Sequence, residues 1–329
     1  MRWNVLKRIG THSGTFHCDE VMACYLLRLT KEYQHSEIVR TRNPEVLNKL
    51  DCLVDVGGVY DPPTHRFDHH QSSFEEFFGG EFNYIKLSSA GLIWKHFGIE
   101  VLQNTTSVKD PLELETLHKG LYSYLFQAID AKDNGISPFS PNQTEKYRDN
   151  TCLPSRISRM NVHWNSLVDD SDERFNKALN VVGEEFQSIL GFFESQWLAS
   201  KNIVHQAILE APSVHRSGLI LKLNKHCPWK EHLHELEGTQ KFFYVVYPDR
   251  DSGWRVQAVP RKQIPFASRV PLPAEWRGKN GEALAEASGV PDAVFVHNTG
   301  FIGGARTYEG ALALAEYSLM LRQIGFKHQ

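Results

Sequence analysis

Cysteine is scarce in this chain: five in 329 residues, an odd number with no Cys-x-x-Cys pair. That excludes a secreted disulfide framework and a zinc ribbon, and predicts a reducing compartment. Long apolar runs are lacking as well. None approaches the roughly 20 residues of a membrane span, and the N-terminus has no signal-peptide core, so an intracellular chain without a leader or a membrane partner is expected. Excess charge of one sign is also missing. With 36 Lys and Arg against 39 Asp and Glu, the net charge is −3 and the pI near 6.6. This gives no overall basic footprint for non-specific duplex binding, and leaves only a local basic groove compatible with nucleic acid. The chain carries no P-loop, no Rossmann glycine fingerprint and no Gly-x-Ser-x-Gly elbow.

What is present is ordinary globular material, 41% hydrophobic and 23% charged, in a length that fits two domains. Residues 5–9 read as a buried strand ending at the polar turn Gly10-Thr11-His12-Ser13-Gly14. Residues 19–29 carry apolar positions at helical spacing. Strands are expected at 36–41 and 52–56, with a helix between them that Pro44 starts. Strand and helix alternate in the manner of parallel βαβ units, whose ligands gather beyond the carboxyl ends of the strands. A serine-capped helix is expected from Ser88, and a second helical region at about 111–131 delivers Asp133 to its end. Residues 136–171 read as a loop-bearing connection, and 172–202 as a long helix between domains. Short strands follow at 218–223, 242–247, 254–259 and 293–297.

The segment Phe67-Asp68-His69-His70-Gln71 is the most informative stretch. An acid followed by two imidazoles rarely helps a fold but can hold a divalent cation beside a phosphate. Upstream stand His12, then His17-Cys18-Asp19-Glu20, then Asp55; downstream comes Asp133-Asn134-Gly135. Each has a plain alternative: a lone histidine is usually core or surface, Asp55 could cap the Gly57-Gly58 turn, and Asp-Asn-Gly is a turn signal. Together, at the ends of apolar runs, they describe a two-metal site. Carboxylates mixed with imidazoles and without thiolates suit Mn2+ or Mg2+, with the imidazoles favouring manganese. Two such ions would act on a phosphoester or phosphoanhydride. Near the C-terminus, Gly303-Gly304 and Arg306 precede a helical run at 309–321 and could cradle an anion at its start; a tight turn explains the glycines equally well.

His12, His17-x-Asp19, Asp55, Asp68-His69-His70 and Asp133-Asn134-Gly135 resemble, in order and spacing, the motifs of the DHH phosphoesterase superfamily. Within it, stretches such as IGTHSGTFHCDE, VDVGGVYDP, RFDHHQ, DAKDNGIS and FVHNTGFIGG resemble the MYG (melanocyte-proliferating gene) family over nearly the whole chain. With the element pattern, the resemblance leads us to expect an α/β fold: a parallel-sheet DHH catalytic domain (1–171), a linker helix (172–202) and a smaller α+β substrate-binding domain (203–329). It further implies a 3′–5′ exonuclease on single-stranded RNA, in nucleus or mitochondrion. By motif, His12, His17 and Asp55 would hold one ion, and Asp19, Asp55, His69 and Asp133 the other. His70, with Asp68, would face the scissile phosphate, and His297, Gly303, Gly304 and Arg306 would bind substrate. One departure is visible: the superfamily commonly has Asp-x-Asp where this chain has His17-x-Asp19, which removes one negative charge. The alternatives are a phosphatase or phosphodiesterase of small nucleotides or pyrophosphate, and a non-catalytic RNA-binding protein with a structural metal. A groove in the second domain lined by Arg255, Arg261, Arg269 and Arg306 with Trp254 or Trp276 would favour a strand.

Overall fold

The computed structural model describes residues 6–140, 142–144, 146–239, 241–262, 264 and 266–326. Contacts divide the chain into two compact units, Met1–Glu194 and Ser195–Gln329.

The first unit begins with β1 (Arg8–Thr11), α1 (Cys18–Leu27), β2 (Glu37–Arg40), α2 (Pro44–Leu47) and β3 (Cys52–Val54). The expected first strand overlaps β1 at Arg8 and Ile9, and Val5 lies outside the described residues. Short strands β4 (Tyr60–Asp61) and β5 (Arg66–Phe67) complete a five-stranded sheet in the order β2-β1-β3-β5-β4, parallel except for β4. A separate hairpin of β6 (Phe77–Gly79) and β7 (Phe82–Lys86) follows.

Then come α3 (Ser89–Thr105), α4 (Pro111–Leu121), α5 (Gln127–Asp133), α6 (Leu153–Ser158) and α7 (Ser171–Phe192). The expected helix at 111–131 is thus two helices joined by a π-helical stretch, Tyr122–Phe126. Its start is set as the sequence dictates, with Pro111 at the first position and the Asp110 carboxylate accepting the Leu112 and Glu113 amides. Helix α1 is buried on nearly every side because α3 and α7 both pack on it. Residues expected to form a linker are therefore divided. The stripe Phe175, Val182 and Phe186 of α7 is buried in the first unit, where Phe186 packs edge-on to Tyr25 and Trp94.

The second unit holds α8 (Leu198–Val214), β8 (Ile220–Lys222), α9 (Lys230–Leu236), β9 (Tyr244–Pro248), β10 (Trp254–Ala258), α10 (Gly281–Ser288), β11 (Ala293–Val296), β12 (Ile302–Ala305) and α11 (Tyr308–Phe326). Its sheet runs β11-β12-β10-β9-β8, parallel only between β8 and β9. Alternation along β9 separates two cores. Val246 joins Val256, Ala305 and Leu314 on one face, while Val245 and Tyr247 join Leu221 and Leu233 on the other. Among the described residues no helix is long and apolar enough to cross a membrane.

Candidate metal centre

In the first unit's sheet, β1, β3 and β5 are adjacent and parallel. The residues just past their carboxyl ends are His12, Asp55 and Asp68-His69-His70. Topology alone therefore brings three of the sequence clusters together. The first turn of α1 adds Asp19 and Glu20, and the last residue of α5 adds Asp133. His12, His17, Asp19, Asp55, His69 and Asp133 all fall in one cluster, within which three overlapping sets have ligand atoms no more than 4.8 Å apart: His12, His17, Glu20 and Asp55; Asp55, His69 and His70; His17, Asp19 and Asp133.

Asp55 is shared. Its Oδ2 lies 3.2 Å from His12 Nε2 and its Oδ1 lies 3.2 Å from His69 Nε2. It stands in the left-handed region at φ 57°, uncommon for a residue with a side chain and best tolerated there by aspartate and asparagine. His69 Nε2 is also 3.2 Å from Asp133 Oδ2, yet among the described residues this buried nitrogen aligns with no hydrogen-bond partner, and neither does the buried Asp19 Oδ1. Two orphaned atoms facing a knot of carboxylates fit a cation between them. The donor set fits as well: hard oxygens and imidazoles without a thiolate, since Cys18 belongs to none of the three sets.

Electrostatics say the same. Burial and the neighbouring Asp55 and Asp133 carboxylates push Asp19 well above the usual carboxylate range. Burial works against a charge on His12, but hydrogen bonds to Asp55 and Glu20 outweigh it and raise the ring to about 10. Burial likewise opposes charge on Asp55, and the His12 and His69 rings override it and hold the carboxyl low. In the metal-free protein, protons on imidazoles thus balance clustered negative charge that cations would otherwise balance.

Glu20, part of the His17-Cys18-Asp19-Glu20 cluster, has no ligand role in the motif assignment, yet the structure places it in the first set. Fully buried, it accepts the His17 amide at 2.9 Å and lies 3.0 Å from His12 Nε2. An acid three residues after a helix cap reads as half of a capping box, which it also is. The charge missing from His17-x-Asp19 returns through Glu20. Asp68 belongs to none of the three sets. One of its oxygens accepts the Gly58 amide at 2.6 Å, and the other meets His70 Nδ1 at 2.8 Å. The His70 side chain is 64% exposed, with Nδ1 the ring nitrogen turned to Asp68.

The N-terminus of α3 supports both acids. The Ser89 amide donates to Asp19 Oδ2 at 3.3 Å, and the Ser89 hydroxyl donates to Phe67 O at 3.1 Å and reaches Asp55 Oδ1 at 3.5 Å. Beneath it, the fully buried Asp130 accepts the Ser88 amide and hydroxyl at 2.9 and 2.7 Å and the Tyr122 hydroxyl at 3.1 Å. A Cβ on Gly91 would lie 2.4 Å from the Asp130 carboxylate oxygens, so only glycine allows this approach. Burial raises Asp130 to about 7 despite the donors around it.

The second unit revises the anion-cradle expectation. Gly303 and Gly304 do not open a helix; they lie within β12, paired with Val256 and Arg255 of β10. A Cβ on Gly304 would come within 2.8 Å of both Arg255 and Phe295, so a close approach explains that glycine. At the start of α11, the Asp292 carboxylate takes the Thr307 amide at 2.9 Å, and a phosphate there would meet a negative charge. Arg306 and His297 are exposed. The basic groove is not built as expected either. Trp276 is buried, Arg269 is bound by Glu237, and Arg255 pairs with Asp249.

A family model described as Uncharacterised protein family (UPF0160) matches residues 8–319. The chain is 46% identical over 326 residues to "MYG1 exonuclease" of Homo sapiens, covering 96% of this chain and 86% of that protein. It is 41% identical over 313 residues to the MYG1 protein of Dictyostelium discoideum, covering 93% and 94%. To a MYG1 protein of Saccharomyces cerevisiae it is 41% identical over 327 residues, covering 95% and 96%.

Proposed function

The chain belongs to the MYG1 family, UPF0160, and from that premise we propose that it is a phosphodiester hydrolase of the DHH type. It would use two divalent cations, manganese for preference, and act as a 3′–5′ exonuclease on single-stranded RNA. The observation that carries this reading is Asp55, held in a left-handed conformation with one oxygen toward His12 and the other toward His69. The name exonuclease, borne by relatives at this identity, supports a strand end as substrate; RNA, the digestion polarity and a nuclear or mitochondrial location rest on the motif resemblance.

His12, His17, Glu20 and Asp55 would hold one ion; by the motif resemblance Asp19, Asp55, His69 and Asp133 would hold the other, with His69 Nε2 3.8 Å from Asp19 Oδ2 and 3.2 Å from Asp133 Oδ2. Such ions, when bound, lower the pKa of a shared water and clamp the oxygens of an in-line displacement. The chain itself supplies the rest. Asp55 keeps the two ligand sets in register. Asp68, fixed by the Gly58 amide, holds the Nδ1 proton of His70 and thereby leaves Nε2 toward a phosphate oxygen. Ser89 keeps Asp19 and Asp55 from turning away from the cluster.

The test is to incubate the purified protein and Mn2+ with end-labelled RNA, end-labelled DNA, dinucleotides and pyrophosphate in parallel. Progressive shortening of RNA from its 3′ end is expected. Turnover of pyrophosphate or dinucleotides alone would move the enzyme to the small-substrate class, and no turnover of any would end the hydrolase reading.

A further inference from the structure

Gln71 directly follows the two imidazoles. Both polar atoms of its carboxamide, Oε1 and Nε2, are buried, and neither has a hydrogen-bond partner among the described residues. The orphaned atoms of Asp19 and His69 belong to residues of the ligand sets and face the candidate cations, whereas the Gln71 amide nitrogen is a donor with no lone pair to offer a metal. A buried amide left with donors and acceptor unmade is costly to the fold, so a carboxamide kept in that state calls for a partner from outside the protein.

The surroundings show what that partner is. Gln71 lines an open cleft of about 400 Å³ with Gly58, Tyr60, Ser73 and Phe74, within the range of small-molecule sites. The cleft adjoins the reacting end of the cluster: the Gly58 amide holds Asp68, and the Phe74 ring packs edge-on to His69 at 6.2 Å and to Tyr60 at 5.5 Å. Two acids border it, Glu75 and Glu76, each already engaged by a lysine, Lys86 at 2.6 Å and Lys95 at 2.9 Å. Among the described residues no Lys or Arg lines the cleft, so it suits a flat, neutral heterocycle better than a phosphate.

We propose that this cleft receives a nucleobase, the one carried by the nucleotide whose phosphate meets His70, and that the Gln71 carboxamide hydrogen-bonds its edge. This rests on the phosphodiesterase reading of the same site. A carboxamide presents a donor and an acceptor side by side and pairs in that way with the N6 and N7 atoms of adenine. The terminal torsion of glutamine is soft, so a small rotation turns the enclosed amide into the cleft it borders. Tyr60, partly exposed, offers aromatic surface to the base, and the buried Phe74 ring backs it.

Calorimetric titration of AMP and of ribose 5-phosphate in the presence of Mn2+ tests the assignment, using wild type and Gln71→Met, which keeps the length of the side chain and removes its hydrogen bonds. Wild type is expected to bind AMP at least about tenfold more tightly than ribose 5-phosphate, and the variant to lose most of that preference. The variant's melting temperature without nucleotide is expected to be no lower than that of wild type, since no protein partner of the amide is lost. Equal binding of the two ligands by wild type, a preference retained by Gln71→Met, or a markedly lower melting temperature would overturn the assignment. Hydrolysis of an aryl phosphodiester by wild type with Mn2+ separates the two levels. If that ester is cleaved and AMP is not preferred, only the cleft assignment fails; if the ester is not cleaved, the phosphodiesterase reading fails.

Discussion

Replacing Asp55 by alanine and, separately, by glycine separates the two demands placed on that position. Both variants lose the carboxylate that His12 and His69 share. Both should therefore lose hydrolysis and bound manganese, and both should be less stable than wild type in chelator, because a hydrogen bond to a charged group contributes roughly 1.5–3 kcal/mol. They differ in the backbone. At φ 57° an alanine bears the left-handed penalty of roughly 1–2 kcal/mol, which glycine escapes. Glycine gives back roughly 0.5–1 kcal/mol through the extra freedom of the unfolded chain. The glycine variant should thus be the more stable of the two by about 0.5–1 kcal/mol, or roughly 1–4 °C in melting temperature for a unit of this size. Melting curves in EDTA, elemental analysis after manganese loading, and turnover of an aryl phosphodiester supply the three readouts. An alanine variant as stable as the glycine one would refute the backbone argument. Wild-type metal content in either would refute the shared carboxylate.

Three further expectations follow from the same geometry. His69→Ala should lower manganese content, because its Nε2 points at Asp55 and Asp133, whereas His70→Ala should retain metal and lose rate; equal metal loss in both, by elemental analysis, would reverse the two roles. Ser89→Ala removes a hydroxyl that reaches Asp55 and Phe67 O and should weaken manganese binding by roughly 10-fold while Ser89→Thr restores it, and an unchanged affinity by titration would show that the α3 N-terminus does not position the acids. Asp130 is raised to about 7 by burial, so the folded state binds the proton more tightly than the unfolded one, and this group's contribution to stability is full below pH 4 and lost as pH rises toward 7. Urea titrations across that window should show a downward slope in wild type that Asp130→Asn flattens, and parallel slopes would mean the carboxyl is not held protonated.

The parts of this protein that were legible in the sequence are those in which a local signal and the long-range arrangement coincide. His12, Asp55 and Asp68-His69-His70 each end an apolar run, and parallel strands placed side by side bring such ends together whatever the loops do. Glu20 was hidden because capping α1 already accounts for an acid at that spacing; only the reach of its carboxylate to His12, set by how β1 sits against α1, reveals the second use. Asp130 was hidden for a similar reason. Three residues before Asp133 on α5 it reads as an ordinary helical acid, and nothing local says that it faces inward beneath Ser88. Strands β4 to β7, at two to five residues each, are too short for alternation to show. Gly303-Gly304 misled in the opposite direction. Two glycines before a helix fit an anion cradle and a crowded strand equally well, and Arg255 and Phe295, which decide the matter for Gly304, come from neighbouring strands. A residue type restricts what a position can do, and the groups that arrive from elsewhere in the chain select among the remaining uses; for Glu20 and Asp130 that selection was made by helix packing, which no short stretch of the sequence records.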